Sequence, residues 1–339
     1  MTLERYSRQQ LFQPIGEKGQ RRLKESHVLI IGAGALGTSS SEQLVRAGIG
    51  RITVIDRDYV EFSNLQRQQL FTEKDAENRM PKAVAAKERL EKVNSEVHIH
   101  AIVDDVQVEE LEKYSQDIDL IIDGTDNFET RMLINDFTQK YQIPWIYGGC
   151  VGSHGMSYTI IPGTSPCLSC LMRSIPLGAA TCDTVGVISP VVQMVAAHQV
   201  TEALKVLVGD VHSIRKGLVT FDLWTNDYTS IKTGRIQRKD CPSCGEEPSY
   251  PFLSGNEMTK VAVLCGRDTV QIRPSNKEQR DLKELKNRLP NGEIQENPFL
   301  LSYKNSLHRM VFFRDGRVLI HGTKDIKEAK TLYHKIVGG

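Results

Sequence analysis

The sequence predicts an α/β fold: a mainly parallel sheet covered by helices and extended by antiparallel strands, followed by a small α+β domain. Three observations carry this expectation. First, an apolar run at 28–31 (VLII) passes directly into Gly32-Ala33-Gly34-Ala35-Leu36-Gly37, then a helical pattern to about Ala47, then a second apolar run at 52–55 ending on Asp56. A strand–turn–helix–strand unit of this kind belongs to a parallel, Rossmann-like sheet. Second, after Gly149 the pattern changes to short strands that pair in antiparallel fashion. Third, a stretch rich in Pro, Gly and Ser at 245–255 separates the rest of the chain. The domains expected are 1–248 and 249–339.

Each element follows from local pattern. Apolar runs predict further strands of the main sheet at 97–103, 119–123 and 143–147, with helices at 81–93 and 128–141. Antiparallel strands are predicted at 156–161, 217–223 and 228–232. The segment 173–186 has no periodicity and reads as a long loop, which in compact domains is often functional. In the C-terminal module, strands are predicted at 260–264, 268–272, 299–303, 308–313 and 317–320, and helices at 276–288 and 325–336. The final Val337-Gly338-Gly339 reads as the end of a helix, not as an extended tail.

Composition narrows the function. The 339 residues carry a net charge of +1, which gives no electrostatic reason to expect nucleic acid or an anionic membrane as partner. The opening MTLERYSRQQLF lacks the apolar core of a signal peptide. The most apolar stretch, 187–208, includes His198, Gln199, Glu202 and Lys205, and reads as a buried helix, not a membrane span. A cytoplasmic location is expected.

The turn at Gly32, Gly34 and Gly37 has the spacing G-x-G-x-x-G, which lets a nucleotide approach the backbone at a helix N-terminus. Asp56 ends the next strand, where a carboxylate can accept ribose hydroxyls. NAD- and FAD-dependent enzymes and several ATP users share this pattern. Asn64, Arg67 and Lys82 follow. Extra cations and amides suit a triphosphate better than a dinucleotide, whose pyrophosphate the glycine turn already serves. After the strand DLII comes Asp123-Gly124-Thr125-Asp126-Asn127. Asp126 is placed to hold Mg²⁺ on phosphates. Asp123 is open between that use and a strand-end or capping role. Cys167-x-x-Cys170 and Cys241-x-x-Cys244 have the spacing of the two halves of a tetrahedral Zn²⁺ site. With four thiolates and no open position, such a zinc is structural.

ERYSRQ at 4–9, GAGALG at 32–37, D-R-D-x-V at 56–60, SNLQRQ at 63–68, PKA at 81–83, DGTDN at 123–127 and the two cysteine pairs, in this order, resemble the ThiF/MoeB/HesA family. These are bacterial relatives of ubiquitin-activating enzymes. The resemblance covers residues 4 to about 245. It implies an adenylyltransferase that uses ATP to activate the C-terminal Gly-Gly carboxylate of a ubiquitin-like sulfur carrier, releasing pyrophosphate. It implies that Asp56 binds ribose, that Asn64, Arg67 and Lys82 contact phosphates, and that Asp126, beside Asn127, holds Mg²⁺. It also implies a homodimer in which Arg8 reaches the partner's nucleotide site. The carrier expected is ThiS-like, for thiamine thiazole synthesis, or alternatively MoaD-like, for molybdopterin. In the ThiF branch, a cysteine at the position of Cys182 takes part in sulfur transfer; in the MoeB branch a matching cysteine can be present without that role, and the adjacent Asp183 works against a lowered thiol pKa. Family members that end near residue 245 lack the C-terminal module.

Two other function classes compete. An NAD-dependent oxidoreductase could use the same glycine turn, but has no need of Arg67, Lys82, Asp126 or the cysteine pairs. An inactive carrier-binding scaffold has no need of a complete triphosphate site. The histidines His27, His98 and His198 lack a second ligand at metal spacing and read as structural. Cys150 and Cys265, beside apolar strands, read as inert.

Overall fold

The structure, a computed structural model, describes residues 2–174, 185–254, 261–263, 268–273 and 280–337. It divides into two compact units, Met1–Glu257 and Met258–Gly339.

The first unit begins with helices α1 (Thr2–Arg5), α2 (Ser7–Gln10) and α3 (Gly16–Glu25). Strand β1 (His27–Ile31), helix α4 (Ala35–Ala47) and strand β2 (Arg51–Ile55) form the predicted repeat. Then come α5 (Glu73–Glu77), α6 (Lys82–Val93), β3 (His98–Ile102), α7 (Val108–Tyr114), β4 (Leu120–Asp123) and α8 (Phe128–Tyr141). The unit continues through β5 (Trp145–Val151), β6 (His154–Ile160), α9 (Leu168–Ser174), α10 (Ser189–Val208), β7 (Gly217–Asp222) and β8 (Asp227–Lys232). The eight strands form one sheet in the order β3-β2-β1-β4-β5-β6-β7-β8. Pairing is parallel from β3 to β5 and antiparallel from β5 to β8.

The strands read as unbroken apolar runs because both faces of the sheet are covered. Val28, Ile30, Ile52, Val54, Leu120 and Ile122 bury against Leu44 and Val45 of α4, Ala86 and Leu90 of α6, and Val200 and Ala203 of α10. The alternating residues Leu29, Ile31, Ile121 and Trp145 are also buried. Helix α10 is long and apolar enough to cross a membrane by length and composition alone. Its residues belong to the core, and it carries two buried polar side chains, Gln199 and Glu202.

Strand β5 runs four residues beyond the predicted end at 147. Gly148 and Gly149 look like a break in sequence, but at Gly148 a Cβ would lie 2.6 Å from the Gln199 amide. The glycine therefore serves close packing inside a strand, and the chain reverses only at Gly152, whose φ is +61°. The predicted loop at 173–186 opens on the end of α9; residues 175–184 lie outside the described residues.

The second unit holds β9 (Val261–Val263), β10 (Thr269–Ile272), α11 (Leu282–Arg288), β11 (Glu293–Glu296), β12 (Leu300–Lys304), β13 (Arg309–Phe313), β14 (Val318–His321) and α12 (Ile326–Val337). Its sheet, in the order β11-β12-β13-β14-β10-β9, is antiparallel throughout. Val270, Leu301, Met310, Phe312 and Ile320 form its core with Leu285 of α11 and Ala329 of α12. Strand β11 escapes sequence reading because Glu293-Ile294-Gln295-Glu296 has one apolar residue.

Candidate nucleotide site and four-cysteine centre

Strands leave β1 in both directions within the sheet: β2 and β3 lie on one side, β4 and β5 on the other. A ligand crevice opens at the C-terminal ends of the strands at such a point. The loops after β1, β2 and β4 all meet there.

At Gly32, φ is +93° and a Cβ would lie 2.6 Å from the Gly124 carbonyl oxygen; at Gly37 it would lie 1.8 Å from the Gly32 carbonyl oxygen. These two glycines let the turn after β1 close onto the loop after β4. Gly34 differs, because a Cβ there meets nothing nearer than 3.7 Å. Protein packing does not demand this glycine, and its missing side chain leaves the N-terminus of α4 bare.

Asp56 accepts the backbone N–H groups of Ala33 and Asp58, each at 2.6 Å. Burial pushes its carboxyl above the usual carboxylate range, with Lys82 opposing. Each oxygen keeps acceptor capacity beyond those bonds. Lys82 opens α6 and is 4% exposed, with its Nζ 3.3 Å from Asp58 Oδ2. Arg57 pairs with Asp105 at 3.1 Å. Burial works against the Arg57 charge, but Asp105, Asp58, Asp126 and Asp56 together hold its pKa above the ordinary value.

Asn64 is 1% exposed. Its Oδ1 accepts the Glu61 N–H at 3.0 Å and closes a 3₁₀ turn at Phe62–Asn64. Its Nδ2 is buried with no partner among the described residues, as is Gln68 Oε1. A buried donor without an acceptor is costly, and a phosphate oxygen would satisfy it. Arg67 is half-buried and donates through Nη1 to the Ser63 carbonyl at 3.0 Å.

In the loop after β4, the two aspartates have opposite environments. Asp123 is fully buried and braces the loop: it accepts the Thr125 N–H and hydroxyl, and pairs with Arg131 Nε at 2.9 Å. That settles its role as structural. Asp126 is exposed. Asn127 caps α8, its Oδ1 accepting the Thr130 N–H at 3.2 Å. Arg8, on α2, is exposed and makes no hydrogen bond or ion pair among the described residues. Cys182 lies outside the described residues.

Sequence reading overlooked several supports. Arg131 also donates to the carbonyls of Thr125 and Gly148. Gln199 is fully buried and donates to the carbonyls of Asp123 and Ile146, tying α10 to both strand ends. Asp58 was legible as the second acid of D-R-D, and Gln199 as an amide inside an apolar helix.

The sulfurs of Cys167, Cys170, Cys241 and Cys244 all lie within 4.8 Å of one another. The Cys167–Cys241 and Cys170–Cys244 pairs are both 3.6 Å apart. Cys167, Cys170 and Cys241 are buried and Cys244 is half-buried. Within this cluster, hydrogen bonding with Cys170 pushes the Cys167 thiol up, while the same contact draws Cys170 down to about 7. Four thiols so close share protons; a dication would replace them. The donor set and its convergence fit a tetrahedral zinc. His27 bonds Thr53 at 2.8 Å, His98 is exposed, and the His198 ring lies tilted 5.6 Å from that of Phe221; none of them joins the sulfur cluster among the described residues. Cys150 is half-buried in β5; Cys265 is outside the described residues.

Comparison with known proteins agrees with this geometry. The sulfur carrier protein ThiS adenylyltransferase of Bacillus subtilis (strain 168) is 52% identical over 336 residues, 98% of this chain and 99% of the relative. The molybdopterin-synthase adenylyltransferase of Escherichia coli (strain K12) is 34% identical over 247 residues, 71% of this chain and 96% of the relative. Among solved structures, E. coli MccB with ATP superposes with a TM-score of 0.61 at 26% identity, covering 71% of this chain and 74% of that one. The model of the ThiF family matches residues 6–243, and the chain belongs to that family.

Proposed function

We propose that this enzyme adenylylates the C-terminal Gly-Gly carboxylate of a ubiquitin-like sulfur carrier of the ThiS kind, consuming ATP and releasing pyrophosphate. The observation that carries the carrier choice is the degree of likeness: the ThiS adenylyltransferase of B. subtilis is 52% identical along 98% of this chain, against 34% for the molybdopterin-synthase enzyme of E. coli. A MoaD-like carrier is the alternative.

In this reading Asp56 takes the ribose hydroxyls with the acceptor capacity left on its oxygens. The bare N-terminus of α4 at Gly34 lets the nucleotide approach the backbone. Asn64 Nδ2 gains a phosphate oxygen as its acceptor, and Arg67 and Lys82 neutralise the phosphate charge. Asp126, the exposed acid, would hold Mg²⁺, which when bound offsets charge on the α-phosphate. Arg8, exposed and without a partner among the described residues, reaches the nucleotide of a second copy in a homodimer. A carrier carboxylate oxygen then attacks the α-phosphorus, and the bond from that phosphorus to the bridging oxygen breaks as pyrophosphate leaves. The nucleophile is ionised at neutral pH, so no general base is needed; positioning and fixed cations supply the rate. The four cysteines would hold a structural zinc. Reduced thiols of this kind suit the cytoplasm.

The test is ATP–pyrophosphate exchange with purified protein and each carrier type in turn. Exchange that requires a ThiS-type carrier and vanishes when its last glycine is removed is the expected result. Exchange with a MoaD-type carrier alone overturns the carrier assignment, and exchange with neither overturns the proposed reaction.

A further inference from the structure

Helix α8 joins the nucleotide loop to the four-cysteine centre. At its N-terminal end, Asn127 caps the helix, and Arg131 holds the Asp123 carboxylate and the carbonyls of Thr125 and Gly148. One turn further on, Asn135 and Asp136 are both fully buried. Asn135 Oδ1 accepts the N–H of Leu168, the residue after Cys167, at 2.8 Å. Asp136 Oδ2 accepts the N–H of Phe252, eight residues after Cys244, at 2.9 Å. Asn135 Nδ2 reaches Asp136 Oδ1 at 3.5 Å. The adjacent pair thus grips the first cysteine segment at Leu168 and the chain shortly after the second at Phe252, two stretches far apart in sequence. An α-helix rises about 1.5 Å per residue, so the two grips on α8 are less than about 8 Å apart along a rigid rod.

We propose that Asn135 and Asp136 are positioning residues that couple metal occupancy at the four cysteines to the setting of the Asp123–Asn127 loop, and through Asp126 to ATP. This rests on the zinc and nucleotide assignments proposed above. A metal that fixes the two cysteine segments fixes the acceptors' partners, and with them the position of α8 along its axis. Without it, Leu168 and Phe252 no longer hold the helix, and Arg131 carries the displacement into the loop. The consequence is specific: ATP binding weakens while the carrier's own binding does not.

The experiment uses the full chain, loaded with Co²⁺ in place of zinc so that thiolate coordination is visible by absorbance. KM for ATP, KM for carrier and kcat are measured in loaded and chelator-stripped protein. Stripping the wild type is expected to raise KM for ATP about tenfold, within the usual range of coupling between sites, and to leave KM for carrier unchanged. Loaded Asp136→Leu should bind Co²⁺ with the same spectrum, yet show the raised KM for ATP and no further response to stripping. Asp136→Asn, which keeps an acceptor for Phe252, should behave as wild type. If Asp136→Leu fails to fold by circular dichroism, Asn135→Leu takes its place with the same expectation. A wild type that takes up no Co²⁺ at the four cysteines overturns the metal assignment and this proposal with it. Co²⁺ uptake with an unchanged KM for ATP overturns the coupling alone.

Discussion

The crevice separates residues that build the site from residues left free to react. Asp123 and Asp126 stand three positions apart, but one is fully buried against Arg131 and the other is exposed. Asp126→Ala is therefore expected to lower pyrophosphate exchange at least about 100-fold without lowering the melting temperature, as loss of an electrostatic group at a reacting phosphate does. Asp123→Ala, by contrast, is expected to destabilise the protein by about 1–3 kcal/mol, because the Thr125 N–H and hydroxyl lose their acceptor and Arg131 loses its ion-pair partner. Thermal melts of the two variants distinguish these roles. A pH effect also belongs at this scale. Burial, assisted by Arg51 at His27 and by Arg215 at His198, pushes both imidazoles below the ordinary value of 6.5. The unfolded chain then takes protons that the folded state resists, so stability is full above about pH 6.5 and falls as pH drops below it. Melting temperature should decline between about pH 7.5 and pH 5.5, and less steeply in the double variant His27→Gln/His198→Gln.

Elements are held by contacts that local sequence does not announce. Gly48 ends α4 with φ at +83°, and a Cβ there would lie 2.5 Å from the Tyr6 ring. Tyr6 in turn accepts a hydrogen bond from Asn94 at 2.8 Å, so the N-terminal helices are pinned to the end of α4. Gly48→Ala should cost about 1–3 kcal/mol through backbone strain, more with the clash, and chemical denaturation would measure it. The four-cysteine centre gathers α9 and the segment after β8. Cys241→Ser should abolish stoichiometric zinc in the purified protein and lower its melting temperature, since structural metal binding contributes to folding. Retention of zinc in that variant would exclude the proposed ligand set.

For the whole molecule, the described residues of the nucleotide crevice and of the sulfur cluster lie in Met1–Glu257. A chain ending at Glu257 is expected to retain pyrophosphate exchange with its carrier. Loss of exchange in a folded truncated chain would give the second unit a part in the reaction. Sedimentation of the full chain should show a dimer, and mixing Arg8→Ala with Asp126→Ala protein should restore about a quarter of wild-type exchange if Arg8 acts across the interface. That fraction follows from half the dimers being mixed and one of their two sites being intact, when association is random.

The sequence alone determined what depends on short-range pattern. Continuous apolar runs marked β1, β2 and β4, because strands covered on both faces need no polar residues. Helix α8 was legible to its ends, Phe128 and Tyr141, because Asn127 caps it. The glycine turn, Asp56, Lys82, Asp126 and the cysteine pairs were visible because chemistry requires those residue types at those spacings. Tertiary structure decided what depends on partners distant in the chain. Glycines that look like a break at 148 and 149 lie inside a strand because Gln199 packs over the first, and Tyr147 and Met156 over the second. Asp123 is a brace because Arg131 folds back onto it. Asn135 and Asp136 look like ordinary polar helix residues until residues 168 and 252 reach them. Burial and hydrogen-bond partners belong to three-dimensional neighbours, and local sequence pattern does not record them.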